Sequence, residues 1–176
     1  MSILKIARMG HPALLSPALE VEDVFAPEIQ ALIGAMAETL LDAGGVGLAA
    51  PQVHVGLRLF LFRVPMGRGE ERQEIPLRVV TNPVVKPVES AGTELGWEGC
   101  LSIPGLRAAV PRWREIQLSG INEMGEHFTE QLNGFAARVV QHEVDHLDGI
   151  LYPMRMENFR LFGYTEELDR YPPEAL

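Results

Sequence analysis

The residues His142-Glu143-Val144-Asp145-His146 spell H-E-x-x-H, the densest run of chemically capable side chains in this sequence. On a helix, positions four apart share a face, so both imidazoles project together. Two convergent imidazoles on a rigid element can grip a divalent transition metal, and a glutamate between them can take a proton from a water held there. That chemistry is hydrolysis, with the substrate still undefined. The bland alternative is a surface helix with two unrelated histidines. Val139, Val140 and Leu147 around the motif weaken it, because they point to a buried helix.

An open catalytic metal site needs a third protein ligand. Cys100, in Trp97-Glu98-Gly99-Cys100-Leu101-Ser102, is the only cysteine. Alone it reads as an inert buried thiol, which is common for free cysteine. Beside a histidine pair it makes a credible open site of one thiolate and two imidazoles. His11, His54 and His127 are rival ligands, and none of them sits in a motif. A further segment, Gly45-Val46-Gly47-Leu48-Ala49-Ala50-Pro51-Gln52, holds no acid or base. Its small residues suit close approach of another backbone, or a tight connection packed in the core, and Gln52 can donate from its amide.

These segments need elements to hold them. Asn133-Gly134 opens a helix expected over about 135–147, with Phe135, Val139, His142 and His146 on its inward stripe and Gly149 ending it. An earlier helix is expected near 26–42, where Ile29, Leu32, Ile33, Met36 and Leu40 recur at helical spacing, Pro27 suits the first turn and Gly44-Gly45 stops it. Residues 57–64 and 77–85 read as strands, the second interrupted by Pro83, with an exposed loop over 66–76 between them. Residues 115–121 and 127–132 read as a hairpin around Glu123-Met124-Gly125. The first 24 residues are expected to be irregular with short helical pieces. Pro153 and Pro172-Pro173 argue against a long terminal helix. The pattern predicts an α+β fold, with antiparallel strands packed around one central metal-binding helix, as a single compact domain over 1–176 whose tail from about 157 is less defined. The seam between helix and sheet is the natural place for a site.

Composition narrows the function classes. A chain of 176 residues, 47% hydrophobic and 22% charged, fits one ordinary globular domain with a substantial core. The formal charge of −9 argues against a DNA or RNA partner, because polyphosphate binding is driven by Lys and Arg. One cysteine excludes an intrachain disulfide. The start, Met1-Ser2-Ile3-Leu4-Lys5, lacks the pattern of a signal peptide, and no apolar run approaches the roughly 18 residues needed to cross a membrane. The expectation is a soluble protein of a reducing compartment, a bacterial cytoplasm.

Taken together, Gly45–Gln52, Glu98–Ser102 and Gln141–Gly149 resemble the three signature motifs of the peptide deformylases, GxGLAAxQ, EGCLS and QHExDHLxG. All three are complete and in order, and the likeness runs from Ile3 to about Met156. The resemblance implies a metal-dependent hydrolase that removes the N-formyl group from the N-terminal formyl-methionine of newly made proteins. It implies Cys100, His142 and His146 as metal ligands, Glu143 as acid/base, and Gln52 and the Leu101 N–H as oxyanion donors. It implies that the main chains of Val46, Gly47 and Gly99 pair with substrate, and that Val46, Arg107, Phe135, Val139 and the His142 ring line a methionine pocket. Arg138 falls where some members carry an apolar residue. The implied cofactor is one divalent ion, Fe(II) in the physiological state, with Zn, Ni or Co able to substitute. The implied partners are formyl-methionyl peptides and nascent chains. Some members meet the ribosome through a basic tail, but here Glu166, Glu167, Asp169 and Glu174 stand against Arg160 and Arg170, which gives that contact no support.

Two rival readings share parts of this pattern. A zincin-type metalloprotease would draw its third ligand from downstream, from Asp148, Glu157 or Glu166, although Asp148 lies on a different face of the helix from His146. A non-catalytic deformylase-like binding protein would not need Glu143, Gln52 and Cys100 all intact.

Overall fold

Helix α1, Pro27–Asp42, forms where Pro27 starts the first turn and Glu28 complements the N-terminal dipole. Its buried residues Ile29, Ile33, Met36 and Leu40 form a single stripe. Gly44, at φ +64°, turns the chain away from the helix end. The chain then forms β1 (Gly47–Ala49), β2 (Leu59–Val64), β3 (Ile75–Pro87), β4 (Thr93–Cys100), β5 (Ile103–Trp113), β6 (Glu115–Ile121) and β7 (His127–Asn133). Helix α2 (Gly134–Leu147) follows, then β8 (Phe162–Tyr164) and the short α3 (Thr165–Arg170). This is a computed structural model, in which residues 3–67 and 74–173 are described.

Two antiparallel sheets result, one ordered β1-β2-β3-β6-β7 and the other β4-β5-β8. The larger sheet lies between the two long helices. On β2, Leu59 and Leu61 join α1 in one apolar cluster, while Phe60, Phe62 and Val64 join α2 in another. Period-2 side-chain alternation distributes these residues to two buried faces, which is why the strand is apolar almost throughout. The smaller sheet packs a third cluster, including Ala108, Val110, Leu14, Leu151 and Tyr152.

The sequence expectations hold for the α+β class, for both helices, for β2 and for the β6–β7 hairpin, which pairs from Glu115↔Asn133 to Ile121↔His127. Of the loop expected over 66–76, residues 68–73 lie outside the described residues, and Ile75 and Pro76 already belong to β3. Pro83 does not end β3. The strand passes it with a register shift between Thr81 and Val84, beside Asn82 at φ +49°, as expected when proline removes a ladder donor. The smaller sheet is the unforeseen part. Glycines at 96, 99 and 105, prolines at 104 and 111 and charges at 94, 98, 107 and 112 hide the strand pattern there. Pairing from Thr93↔Trp113 to Gly99↔Arg107 nevertheless makes β4–β5 a long hairpin.

Candidate active site

Helix α2 carries the H-E-x-x-H run through the interior. His142, Glu143, Asp145 and His146 are all buried on it. Gly149, at φ +73°, ends the helix, and a Cβ there would meet the Leu15 backbone at 2.8 Å. Opposite α2, the end of β4 brings up Cys100. The ligand atoms of Cys100, His142 and His146 lie within 4.8 Å of one another, and Cys100 Sγ is 3.3 Å from His146 Nε2. This is the one grouping of three potential ligands among the described residues. His11 and His54 instead pack edge to face with each other at 4.6 Å, and His127 sits on the exposed β7. Of the downstream acids, Asp148 is paired with Arg58 at 2.8 Å, and Glu157 and Glu166 are exposed.

A hub of charge holds this cluster, and sequence reasoning missed it. Glu98 is two residues before Cys100 on β4, with a register shift between Gly99 and Cys100. Arg112 on β5 donates to both Glu98 oxygens, at 2.8 and 2.9 Å, and Arg138 donates to Oε1 at 3.0 Å. His142 Nδ1 donates to Oε2 at 2.9 Å. Burial alone would raise the Glu98 pKa, but the hydrogen bonds from Arg112 and His142 outweigh it and hold it at about 2. An ionised carboxylate only accepts, so His142 Nδ1 carries a proton. Burial opposes charge on this ring, but its bonds to Cys100 and Glu98 hold its pKa well above the usual range, so a cation binding at Nε2 would displace the proton there. Arg112 also donates to Asp145 at 2.6 Å, and Arg155 holds the same carboxylate at 2.7 Å. The available signal was helical: Asp145 lies three residues from His142 on a helix already read as buried, and a buried acid there demands a cation.

The remaining geometry concerns proton transfer and hydrogen-bond donation. Burial raises the Glu143 carboxyl to about 7, and its Oε2 has no hydrogen-bond partner. A Cβ at Gly47 would collide with Glu143 Oε1, so a side chain there would have to push the carboxylate aside. Burial also pushes the His146 pKa well below the usual range, so its imidazole is neutral, as a ligand must be. Gln52 Oε1 accepts from the Ala49 N–H at 2.8 Å. That aims Nε2 at Ser102 Oγ, 3.1 Å, and at Cys100 Sγ, 3.5 Å. Ser102, another residue passed over, also points its N–H at Cys100 Sγ, 3.4 Å.

A cavity of about 440 Å³ opens onto this group between β1 and β4. Val46, Gly47, Gln52, Gly99, Leu101, Phe135, Val139, His142 and Glu143 line it, together with Thr165 at the start of α3. Arg107 is not among its lining residues. Its guanidinium lies 4.9 Å from the Trp97 ring centroid and bonds Asp169 at 2.7 Å. Arg138 does line the cavity, but its head is drawn onto β4. The donor set fits a divalent ion: one thiol, two imidazoles with nitrogens facing it, a carboxyl with a free oxygen alongside, and an approach for substrate.

One thiol and two imidazoles under an open cavity, with a carboxyl between the imidazoles on a helix, define a metal-dependent hydrolase. Known proteins narrow the class. A family model described as polypeptide deformylase matches residues 3–161, and the chain belongs to that family. It is 49% identical over 164 residues to peptide deformylase 2 of Bordetella bronchiseptica, covering 93% of each chain. In structure it resembles a class I type b peptide deformylase from Acinetobacter baumannii, with a TM-score of 0.82 and 35% identity, over 89% of this chain and all of the other. A second structure of that enzyme, with Met-Ala-Ser bound, matches 88% of this chain and all of the other at a TM-score of 0.79 and 34% identity. No helix among the described residues is long and apolar enough to cross a membrane.

Proposed function

We propose that this chain removes the formyl group from the N-terminal formyl-methionine of newly made polypeptides, releasing formate, in a bacterial cytoplasm. The observation that carries this reading is the convergence of Cys100, His142 and His146 beside Glu143 and Gln52 at the base of an open cavity. A zincin reading finds no support, since Asp148 is engaged with Arg58. A purely binding role leaves the unpartnered Glu143 oxygen without a purpose.

In this mechanism Cys100, His142 and His146 would hold the metal, Fe(II) in the cell, with Zn, Ni or Co able to substitute. When bound, the ion supplies Lewis acidity that lowers the pKa of a water from about 15.7 toward about 7. Glu143 accepts the proton of the attacking water, and oxygen adds to the formyl carbon. Gln52 Nε2 and the Leu101 N–H donate to the oxyanion that develops there. Glu143 then passes its proton to the methionine nitrogen, the C–N bond breaks, and formate departs. Glu98 keeps His142 in the required tautomer throughout.

The substrate peptide docks extended between the Val46–Gly47 edge and Gly99, a β-augmentation that reads backbone more than side chains. Val46, Phe135, Val139 and the His142 ring receive the methionine side chain. The A. baumannii enzyme binds Met-Ala-Ser, a peptide beginning with methionine, which supports a peptide of that kind as the ligand class. The test is formate release from formyl-Met-Ala-Ser by anaerobically purified protein, with metal analysis alongside. Turnover that tracks metal content supports the reading. A metal-loaded, folded protein that leaves the formyl peptide intact would refute it.

A further inference from the structure

Resting on the metal-site reading, we propose that Arg138 is a positioning residue that clasps the strand bearing Cys100 to the helix bearing His142 and His146. The ligands come from two elements, and among the described residues β4 has no partner strand on its outer side. Arg138 is one helical turn before His142, so both reach the same side of α2. Its Nη1 donates to Val110 O at 2.8 Å, to Gly96 O at 3.3 Å and to Glu98 Oε1 at 3.0 Å, and its Nη2 donates to Glu94 O at 2.8 Å. One side chain therefore binds β4 at Glu94, Gly96 and Glu98, and β5 at Val110. The side chain is only 12% exposed.

The strand is shaped to receive it. A Cβ at Gly96 would lie 2.7 Å from Arg138 Nη2 and 2.8 Å from Cζ, so the guanidinium occupies the space that a side chain at 96 would fill. Gly96 and Arg138 thus form a matched pair separated by more than forty positions. Arg138 and His142 also share the Glu98 carboxylate, one on each oxygen. Displacing Arg138 therefore loosens both the aim of His142 and the seat of Cys100. An arginine is suited to this role because its planar head offers several fixed donors, whereas lysine offers a single point charge.

The test uses Co²⁺ alone as the probe, read by its thiolate charge-transfer and ligand-field bands, and needs no turnover. Arg138→Leu is expected to bind Co²⁺ about 10- to 100-fold more weakly, the range for residues that orient ligands, and to shift the thiolate band. Gly96→Ala should reproduce that change, and the double variant should add nothing to either. Arg138→Lys should recover part of the loss, and it decides the matter together with Gly96→Ala if Arg138→Leu does not fold. Wild-type affinity and spectrum in Gly96→Ala and Arg138→Lys would sink the clasp, as would effects that multiply in the double variant. A wild-type protein that shows no thiolate band with Co²⁺ would instead sink the metal reading on which the clasp rests.

Discussion

The two sheets of this protein do different work, and their sequences show it. The β1-β2-β3-β6-β7 sheet is filled with residues such as Phe60, Phe62, Val80, Ile116 and Leu118, packed between helices. The β4-β5-β8 sheet contributes Glu98, Cys100 and Arg112 to the site, with glycines at the points of close approach. The first sheet is held by apolar burial, which tolerates many side chains of suitable size. The second carries a buried ionic network, in which each group depends on named partners. Substitutions in the second sheet, on α2 and at Gly47 on the edge strand β1 should therefore remove activity, and those in the apolar interior of the first sheet should remove stability.

The largest effect expected is that of Cys100→Ala, which should abolish metal retention by elemental analysis and formate release with it. A variant that kept both would break the contrast at its centre. Glu143→Gln should keep the metal and lower turnover by about 100- to 10,000-fold, the usual range for a lost acid/base group. Gly47→Ala comes next. Its methyl group must displace the Glu143 carboxylate, and a misplacement of about 1 Å can cost about 100-fold in rate. Metal content should be unchanged in that variant.

Phe60→Ala examines the other sheet. Phe60 is fully buried, and the truncation should cost about 3–5 kcal/mol in denaturant unfolding. The kcat/KM measured well below the melting temperature should be unchanged. A folded Phe60→Ala protein with a crippled kcat would show that the two sheets are not separable. The smallest effect belongs to Asp148→Asn, which removes a half-exposed pair with Arg58 worth about 0–1 kcal/mol and should leave metal content intact. Metal loss in that variant would revive the zincin reading.

How much could be read beforehand follows the same division. Both long helices and the β6–β7 hairpin announced themselves through periodicity and turn residues, because burial on one or two faces imposes a repeat. The imidazole pair on α2 was legible because helical spacing alone brings His142 and His146 together. The β4–β5 hairpin was not legible. Its glycines and prolines serve close approach and turns, and its charges serve a buried network, so they mask any alternation of apolar and polar residues. Glu98 stood in view beside Cys100, but its partners Arg112, Arg138 and His142 are distant in sequence and meet it only in the fold. Arg107 shows the converse. The resemblance implied a place in the methionine pocket, and only the fold shows its guanidinium stacked on Trp97, a residue lining the cavity, and paired with Asp169.

By itself the sequence determined what is local or strictly patterned: the helix carrying the histidine pair, the order of the three motifs, the α+β class and the family these imply. Those properties depend on spacing along one element or on residue identity, and spacing survives without knowledge of the partner. Only the tertiary structure decided which nitrogen of His142 faces the cluster, which cations neutralise Glu98 and Asp145, and which side chains occupy the space beside residues 47 and 96. Each of these is settled by a contact between segments tens of residues apart, at distances of a few ångströms that no one-dimensional pattern records.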